Sequence, residues 1–397
     1  MSKGMLVRQL VAGGCWAVLV LVSGCAKVSH QTITDEVRGP AAMPQALEPS
    51  NEDKAMAAGL ANMMQLAEQG DAAMQVALGF LYRSGLGGVK QDYQQAASWY
   101  RKAAEQGDAG AQNSLGSMYE NGNGVAKDYQ QAVAWYRKAA EQGDAGAQNS
   151  LGSMYENGHG VAKDYQQAVA WYRKAAEQGD AVAQSNLGVM YVNGQGVPKD
   201  DLQAVAWWHK AAEQGDAVAQ SNLGIMYVNG QGVPKDDLQA VAWWHKAADQ
   251  GHAQSQYNLG IMYESGRGVA QDDQQAVAWY RKAAEHGDAY AQFNLGAMYD
   301  HGRGVAQNTQ QAIAWWQKAA EQGHAGAQFN LGVTYGTGRG VVQDHQQAYA
   351  WFSVAAANGQ VGAADNRDVA ATFLTPAALS EAQALGDRYL ALYQPKQ

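Results

Sequence analysis

The sequence predicts an all-α protein, an α-solenoid of repeated helix-turn-helix units, because one short pattern recurs along most of the chain. The string Leu-Gly-x-x-Tyr begins at Leu115 and returns every 36 residues until Leu331, and a divergent copy begins at Leu78, 37 residues before Leu115. Within each copy the apolar residues follow helical spacing on two successive segments. Self-similarity at such a period indicates a solenoid, in which each unit buries its apolar face only against its neighbours.

The unit from 109 to 144 shows the expected pair of helices. Its first apolar stripe consists of Ala111, Leu115, Met118 and Tyr119, and its second of Ala132, Trp135, Tyr136, Ala139 and Ala140. Gly122 suits the left-handed conformation that ends many helices. Asp128 is expected to cap the second helix, with Gln131 as its reciprocal capping-box partner, and Asp144 is expected to cap the first helix of the next unit.

These residues match a known repeat family. The block Ala-x-Ala-Gln-x-x-Leu-Gly-x-Met-Tyr-x-Asn-Gly-x-Gly-Val-x-x-Asp, followed by Gln-Ala-Val-Ala-Trp-Tyr-x-Lys-Ala-Ala-Glu-Gln-Gly, resembles the Sel-one-like repeat (SLR) of the tetratricopeptide superfamily. The resemblance covers residues 72–360 and implies an α-solenoid that winds as a right-handed superhelix and binds another protein. The eight units are expected at 72–108, 109–144, 145–180, 181–216, 217–252, 253–288, 289–324 and 325–360.

The segments on either side of the repeats are predicted to close the two ends of the solenoid. Residues 54–71 resemble a lone second helix, and residues 361–397 are expected to supply C-terminal capping helices. Thr375 and Pro376 are typical of the N-cap and first residue of a helix. The apolar side chains expected to cover the open end are Leu379, Leu385, Tyr389 and Leu392.

The first residues resemble a lipoprotein signal peptide, predicted over 1–24. Basic residues precede an apolar run, 10–22, that is too short to span a bilayer. The run ends in Val22-Ser23-Gly24-Cys25, which resembles a bacterial lipobox, so Cys25 is expected to carry the lipid. The alternative is an ordinary signal peptide with a chance cysteine. Residues 25–53 are polar and contain several prolines, which predicts a flexible tether.

Location and partners follow from the residue after the cysteine and from the charge. Ala26 stands where an aspartate would indicate inner-membrane retention, so resemblance to other lipoproteins favours the outer membrane, with the protein facing the periplasm. The formal net charge is −9. An acidic chain argues against nucleic acid or an anionic membrane face as partner. We expect another protein as partner, a membrane contact through the lipid on Cys25, and a monomer.

The sequence contains no recognised catalytic or cofactor motif. Ser-x-x-Lys, Gly-x-Ser-x-Gly, His-Glu-x-x-His, Cys-x-x-Cys and a Walker lysine are all absent, so we expect no enzyme, no cofactor and no metal. The Gly-x-Gly strings recur in every unit, which favours a structural turn over phosphate binding. In that turn Arg267, Arg303 and Arg339 are either solvated or form a small anion site. His209 and His245 could pair on a metal, but no third ligand lies in register.

Differences between units on this constant scaffold indicate a binding face. The positions of Asn113 and Ser117 lie opposite the stripe that packs on the second helix, and they become apolar toward the C-terminal half. The candidate partner-binding residues are Tyr257, Phe293, Phe329, Ile225, Ile261 and Val333. They form either a groove of the kind that solenoids use, or the packing between one unit's first helix and the next. Trp207 and Trp243, in the stripe of the second helices, are expected to be buried.

The predicted function is that of a lipid-anchored scaffold or adaptor that faces the periplasm and binds another protein. One alternative is an immunity protein that neutralises a periplasm-delivered toxin, such as a type VI secretion phospholipase, because some immunity lipoproteins are SLR proteins. Another is an enzyme acting on cell-wall or β-lactam substrates, for which no repeated position offers a nucleophile. A toxin gene beside this one would favour immunity, and hydrolysis of a chromogenic β-lactam would favour the enzyme.

A first prediction concerns the anchor. Cys25→Ser should release the protein from the membrane fraction or leave it unprocessed, because the thiol of Cys25 is the only expected site of acylation. Fractionation and gel mobility of the two forms measure this. Unchanged processing and membrane association in the variant would contradict the lipoprotein prediction.

Overall fold

Nineteen α-helices and no β-strand make up residues 51–393, the part of the chain that the structure, a computed structural model, describes. The helices are α1 (Asn51–Glu68), α2 (Ala72–Ser84), α3 (Tyr93–Glu105), α4 (Ala109–Asn121), α5 (Tyr129–Glu141), α6 (Ala145–Asn157), α7 (Tyr165–Glu177), α8 (Ala181–Asn193), α9 (Asp201–Glu213), α10 (Ala217–Asn229), α11 (Asp237–Asp249), α12 (Ala253–Ser265), α13 (Asp273–Glu285), α14 (Ala289–His301), α15 (Thr309–Glu321), α16 (Ala325–Thr337), α17 (His345–Ala357), α18 (Ala363–Thr372) and α19 (Pro376–Leu392). Helices α2 to α17 form the eight repeats in pairs.

Helices pack in the order in which the chain makes them. The two helices of a repeat form a hairpin, and the second helix packs on the first helix of the following repeat, as α13 packs on α14. The chain divides into two compact units. One ends at Ala147 and includes His159–Val161, and the other contains Gln148–Gly158 and the residues from Ala162 onward. Neighbour-to-neighbour packing of the repeats confirms the predicted all-α solenoid.

Aspartate side chains determine where most repeat helices begin. The Oδ1 atom of Asp128 accepts a hydrogen bond from the Gln131 N–H at 3.0 Å, and that of Asp144 accepts from the Ala147 N–H at 2.7 Å, so both predicted N-caps are confirmed. The prediction of a reciprocal hydrogen bond between the Gln131 side chain and the Asp128 N–H is wrong. The Asp128 N–H donates instead to the carbonyl of Tyr119 at 2.9 Å, which closes the loop between α4 and α5.

A buried glutamine at the fourth position of the repeats joins three helix ends. Gln220 is 4% exposed, and its Nε2 donates to the carbonyl of Ala212 in the last turn of α9 at 3.0 Å. Its Oε1 accepts from Nε2 of Gln250, just beyond α11, at 2.9 Å. Carbonyls of a last helical turn lack regular partners within the helix, and here the next repeat supplies a donor. The same pair of bonds is made by Gln112, Gln184 and Gln292.

Adjacent tryptophans on the second helices differ in burial. Trp207 and Trp243 are partly exposed, so the prediction that they are buried is wrong. The next residue in the helix, Trp208, is 3% exposed, and its Nε1 donates to the carbonyl of Ser185 inside the hairpin at 3.0 Å. One residue turns a helix by about 100°. That turn carries Trp207 toward the surface, where the Lys210 Nζ lies 4.0 Å from the ring centroid.

The terminal helices begin close to where the sequence places them. Thr375 caps α19, as predicted, because the Ala378 N–H donates to its Oγ1 at 3.3 Å, and Pro376 is the first helical residue. At the other end α1 begins at Asn51, three residues before the predicted boundary at 54. Helix α18 precedes α19, which agrees with the expected pair of C-terminal capping helices.

The last helix covers the final repeat with a face that the sequence identified only in part. Leu392, expected to cover the end, is 67% exposed, so that prediction is wrong. The Tyr389 ring lies 4.5 Å from the ring of Trp351 on α17. Ala382 and Gly386 are the buried residues of α19. Because these two residues are small, α19 approaches α17 closely, and the rings of Tyr389 and Tyr393 both pack against Trp351.

Several predicted features lie outside the described residues: the signal peptide at 1–24, the lipidation site Cys25, and most of the tether at 25–53. Within residues 51–393, none of the helices combines the length and the apolar character that crossing a bilayer would require.

A second prediction separates the two tryptophans. Trp208→Ala should lower the free energy of unfolding by about 3–5 kcal/mol, because it empties a buried site. Trp207→Ala should cost only about 1–2 kcal/mol, because part of that side chain already contacts water. Urea unfolding followed by circular dichroism measures both, and hydrogen exchange should place the Trp208→Ala loss in α8 to α10. An equal loss in the two variants would contradict the assigned faces.

Candidate protein-binding surface

The Gly-x-Gly turn packs against backbone and has no room for a phosphate. Gly232, in the turn between α10 and α11, has a φ of +67°, and a Cβ atom there would collide with the carbonyl of Asp201 at the start of α9. Only glycine combines this left-handed conformation with so close an approach. The predicted structural turn is confirmed. The close approach of Gly232 to Asp201 holds this turn against the second helix of the preceding repeat.

The arginines of the last turns are paired with carboxylates. Arg267 makes two bonds to Asp237, from Nη2 to Oδ1 at 2.8 Å and from Nε to Oδ2 at 3.1 Å. Arg303 binds Asp273 at 2.9 Å in the same way. Hydrogen bonding by Arg267 lowers the pKa of the Asp237 carboxyl below its usual value. The interpretation as an anion site is therefore wrong, because each guanidinium is paired with a carboxylate. The interpretation as solvated arginines is confirmed in part, since the side chains of Arg267 and Arg303 are 42% and 43% exposed.

The third arginine binds a carboxylate that is buried. Arg339 Nη2 lies 2.6 Å from Oδ2 of Asp300, whose side chain is 3% exposed. One repeat earlier, Glu264 occupies the same position, where its carboxylate accepts from Tyr280 Oη at 2.7 Å and from an arginine Nη1 at 2.8 Å. Acidic groups at this position thus bind partners inside the protein, although Oδ1 of Asp300 is buried without a hydrogen-bond partner. The apolar positions remain as the candidates for partner contact.

The two histidines proposed as a metal pair contact aromatic rings instead. His209 Nε2 lies 3.5 Å from the hydroxyl of Tyr227, and the His209 ring meets the Trp243 ring edge-on at 5.6 Å between centroids. Burial is the main cause that lowers the pKa of both His209 and His245 below 6.5. No group of three or more metal-binding side chains occurs within residues 51–393. The interpretation of His209 and His245 as a metal-binding pair is therefore wrong.

The predicted aromatic column lies between consecutive first helices, with part of each ring exposed. The ring of Phe293 stacks on His324 of the next repeat at 4.5 Å, and Tyr257 lies 6.1 Å from Tyr290 of its next repeat. Phe329 packs inside its own repeat, 5.4 Å from Phe352. Tyr257 and Phe293 therefore hold repeats together, as one of the two sequence interpretations proposed, whereas Phe329 stabilises its own hairpin. Whether their exposed edges also bind a partner stays a prediction.

A group of exposed apolar side chains lies on the outward face of the first helices in the second unit. Ile225 is 38% exposed and Val333 is 36% exposed, while Ile261 is partly buried. Val218 lies seven residues before Ile225, two turns away on the same face, and is 48% exposed. The corresponding places in an earlier repeat hold Gly146 and Ser153. An apolar patch of this kind is typical of a protein-binding surface.

The second position of the first helices was missed by the sequence interpretation. Val182 is 51% exposed, and Tyr290, at the same position, is 62% exposed. The signal was available, because this position holds glycine at 110, 146 and 326 and large apolar residues only in the middle repeats. Periodicity placed it next to the buried stripe, and only the structure shows that it points outward.

Comparison with known proteins supports the repeat boundaries. The model of the Sel1 repeat matches residues 72–108, 109–144, 145–180, 181–216, 217–252, 253–288, 289–324 and 325–360. A Sel1 repeat protein from Oxalobacter formigenes is 36% identical, with a TM-score of 0.60 over 82% of this chain and 96% of that chain. A protective antigen of uropathogenic Escherichia coli that displays an SLR fold is 36% identical, with a TM-score of 0.47 over 86% and 88%.

An immunity protein from Pseudomonas aeruginosa is also similar, at 24% identity and a TM-score of 0.37, over 53% of this chain and 80% of that chain. A likeness at this level carries no argument about a partner. A comparison with proteins of curated function found no match.

A third prediction concerns two histidines that cap helices. The Nδ1 atoms of His252 and His324 accept from the N–H groups of Ser255 (3.3 Å) and Ala327 (3.2 Å), which requires a neutral ring. Burial is the main cause that lowers their pKa below 6.5. Between the lowered value and 6.5 the unfolded chain binds protons that the folded chain does not, so the free energy of unfolding should fall as the pH drops below 6.5.

Replacing both histidines by aspartate, the cap that most other repeats use, should make this fall clearly shallower. Urea unfolding of both proteins between pH 7 and pH 5 measures the two slopes. Equal slopes in the double variant and the original protein would contradict the role given to the caps.

Proposed function

The chain belongs to the Sel1 repeat family, and we propose that it is an adaptor that binds another protein through the outward face of its first helices from α8 to α16. Sel1 repeats typically mediate binding to other proteins and are generally non-enzymatic scaffolds. The observation that carries the proposal is the row of exposed apolar side chains on that face, of which Val218, Ile225 and Val333 are more than a third exposed.

The contrast between repeats supports this reading. The Ile225 and Val333 positions are occupied by serine at 117 and 153, so the scaffold does not need an apolar residue there. Leaving apolar surface in water is unfavourable by roughly 25 cal/mol per Å². Val218 and Ile225 lie two turns apart on one helix, so a single partner surface covers both, and this grouping supports the proposal.

The lipid anchor and the location belong to the same proposal. The Val22-Ser23-Gly24-Cys25 string supports acylation at Cys25, and Ala26 supports the outer membrane. In this arrangement the polar stretch at 25–53 connects the anchor to the repeats, which would face the periplasm. A tether at the membrane favours an adaptor role, because it raises the effective concentration of the solenoid for a partner held at the same membrane.

The two alternatives receive no support from particular residues. The immunity proteins similar to this chain are too distant to transfer a toxin partner. An enzyme acting on cell-wall or β-lactam substrates would need an activated nucleophile, and the Ser-x-x-Lys motif is absent from the sequence. That the chain is not an enzyme stays a prediction.

A fourth prediction tests the apolar face. A photoreactive amino acid at position 225 should crosslink the partner in intact cells, and the purified partner should then bind the Ile225→Ser and Val333→Ser double variant at least about tenfold more weakly. Both side chains are partly exposed, so the variant should keep its fold. Phe293→Ala would be a poorer test, because its ring stacks on His324 and its loss would also weaken the scaffold.

The matched control removes similar apolar area elsewhere. Leu202 and Leu238, at the second helices, are 69% and 65% exposed, and glutamine stands at the same position in other repeats. The Leu202→Gln and Leu238→Gln variant should bind the partner normally. If the control loses as much affinity as the serine variant, the first-helix face is not the binding site.

A further inference from the structure

Four aromatic rings form one contiguous group at the starts of α14 and α16 and on the neighbouring α12. Tyr290 lies 6.1 Å from Tyr257 and 5.0 Å from His324, which it meets edge-on, and Phe293 stacks on His324 at 4.5 Å. Tyr290 is 62% exposed, and the other three are partly buried. We call these four residues the aromatic cluster. It offers one accessible ring, Tyr290, that contacts two of the other three rings directly.

Among the eight repeats, only this one places a ring at the second position of the first helix. The other repeats have alanine, glycine, valine or glutamine there, at 73, 110, 146, 182, 218, 254 and 326. The fold therefore does not require Tyr290. An exposed ring that packing does not explain is the type of residue that dominates binding energy at interfaces.

Two carboxylates act on the aromatic cluster, and one of them, Glu264, is already paired with Arg303 at 2.8 Å. Asp288 caps α14 by accepting from the Ala291 N–H at 2.7 Å, so its carboxylate lies two residues before Tyr290 at the helix start. Burial raises the pKa of Tyr257, and the charges of Asp288 and Glu264 raise it further. The charged groups that act on this ring are thus both carboxylates. A carboxylate beside a ring face is a favourable place for a cation.

Cations already cover the other prominent rings of the fold. On the second helices a lysine Nζ lies 3.8–4.2 Å from the ring centroid of each of these tryptophans: Trp99, Trp135, Trp171, Trp207, Trp243, Trp279 and Trp315. Neither Tyr257 nor Tyr290 has a lysine or arginine over its ring within residues 51–393. The ring of Tyr290, which is 62% exposed, is therefore open to a cation from outside.

We propose that the aromatic cluster, together with the carboxylate of Asp288, binds a cationic side chain, an arginine or a lysine, of the partner protein. This inference rests on the proposed function, since it names the chemistry of one contact on the adaptor's binding face. The apolar side chains Val218 and Ile225 supply contact area on that face, and the cluster adds selection for a basic residue. An overall net charge of −9 favours the approach of such a partner.

The test uses a small probe, so that it does not depend on finding the partner. N-acetyl-arginine amide and N-acetyl-citrulline amide have the same shape, but only the first is charged. In ligand-detected NMR titrations at low salt, the purified protein should bind the arginine probe at least about fivefold more tightly than the citrulline probe. Tyr290→Val, which introduces the residue found at 218, should weaken arginine binding by about five- to tenfold.

Two matched charge variants separate a specific site from general acidity. Asp288→Asn keeps a capping side chain, as Asn308 shows by accepting from the Gln311 N–H at 3.0 Å, but it removes the charge. Asp216→Asn makes the same change at the equivalent cap beside Val218, where no aromatic cluster exists. Asp288→Asn should weaken the arginine probe severalfold, and Asp216→Asn should leave it unchanged.

Three outcomes would overturn the proposal: equal binding of the two probes, normal arginine binding by Tyr290→Val, or equal losses in the two charge variants. Thermal unfolding of each variant checks the fold, and Tyr290 is exposed enough for its replacement to be tolerated. Failure of the adaptor proposal is distinguishable, because it would appear as normal partner binding by the Ile225 and Val333 serine variant while the probe result stands.

Discussion

The structure depends on one buried polar interaction, the glutamine at the fourth position of the repeats. Gln220 contacts the end of the helix before it and the residue after the helix that closes its own repeat, at 3.0 Å and 2.9 Å. A buried amide is costly unless its donors and acceptor are satisfied. The geometry that satisfies it therefore sets the position of each hairpin against the previous one. Leucine, alanine and glycine fill the space around it, but they would tolerate small shifts that the two hydrogen bonds do not.

This constraint leaves the outward positions free to vary, although one of them follows the choice of a core aromatic. Where the second helix buries Tyr280, its hydroxyl needs an acceptor, and Glu264 supplies it at 2.7 Å. Where it buries Trp244, the indole N–H donates to the carbonyl of Ser221 at 3.0 Å, and the place of the glutamate is taken by Val228. The position therefore follows the core aromatic only in part: it is apolar in the repeats of Trp208 and Trp244, but the repeat of Trp316 keeps Asp300 there, bound to Arg339.

The binding face that we propose arises from this freedom. Repeats with Trp208 or Trp244 carry valine or isoleucine on the outward face of the first helix, whereas the aromatic cluster around Tyr290 adds a ring beside a carboxylate. Near-identical repeats can therefore present different chemistry along one face. In our proposal, the order of the apolar positions and the aromatic cluster along that face selects the partner. The arginines of the last turns do not take part, because each is held by a carboxylate of a neighbouring repeat.

The sequence by itself determined the period, the helix pairs, their caps and the family, because these depend on residues close together in the chain. It also located the column that contains Phe293. The tertiary structure alone decided which of Trp207 and Trp208 is buried, since both are apolar and periodicity does not choose between adjacent aromatic residues. Arg303 binds carboxylates 30 and 39 residues away, and Tyr290 is 62% exposed although His324 at the start of α16 contacts its ring. Such contacts depend on how one repeat packs on another, and no local sequence pattern encodes contacts between residues so far apart in the chain.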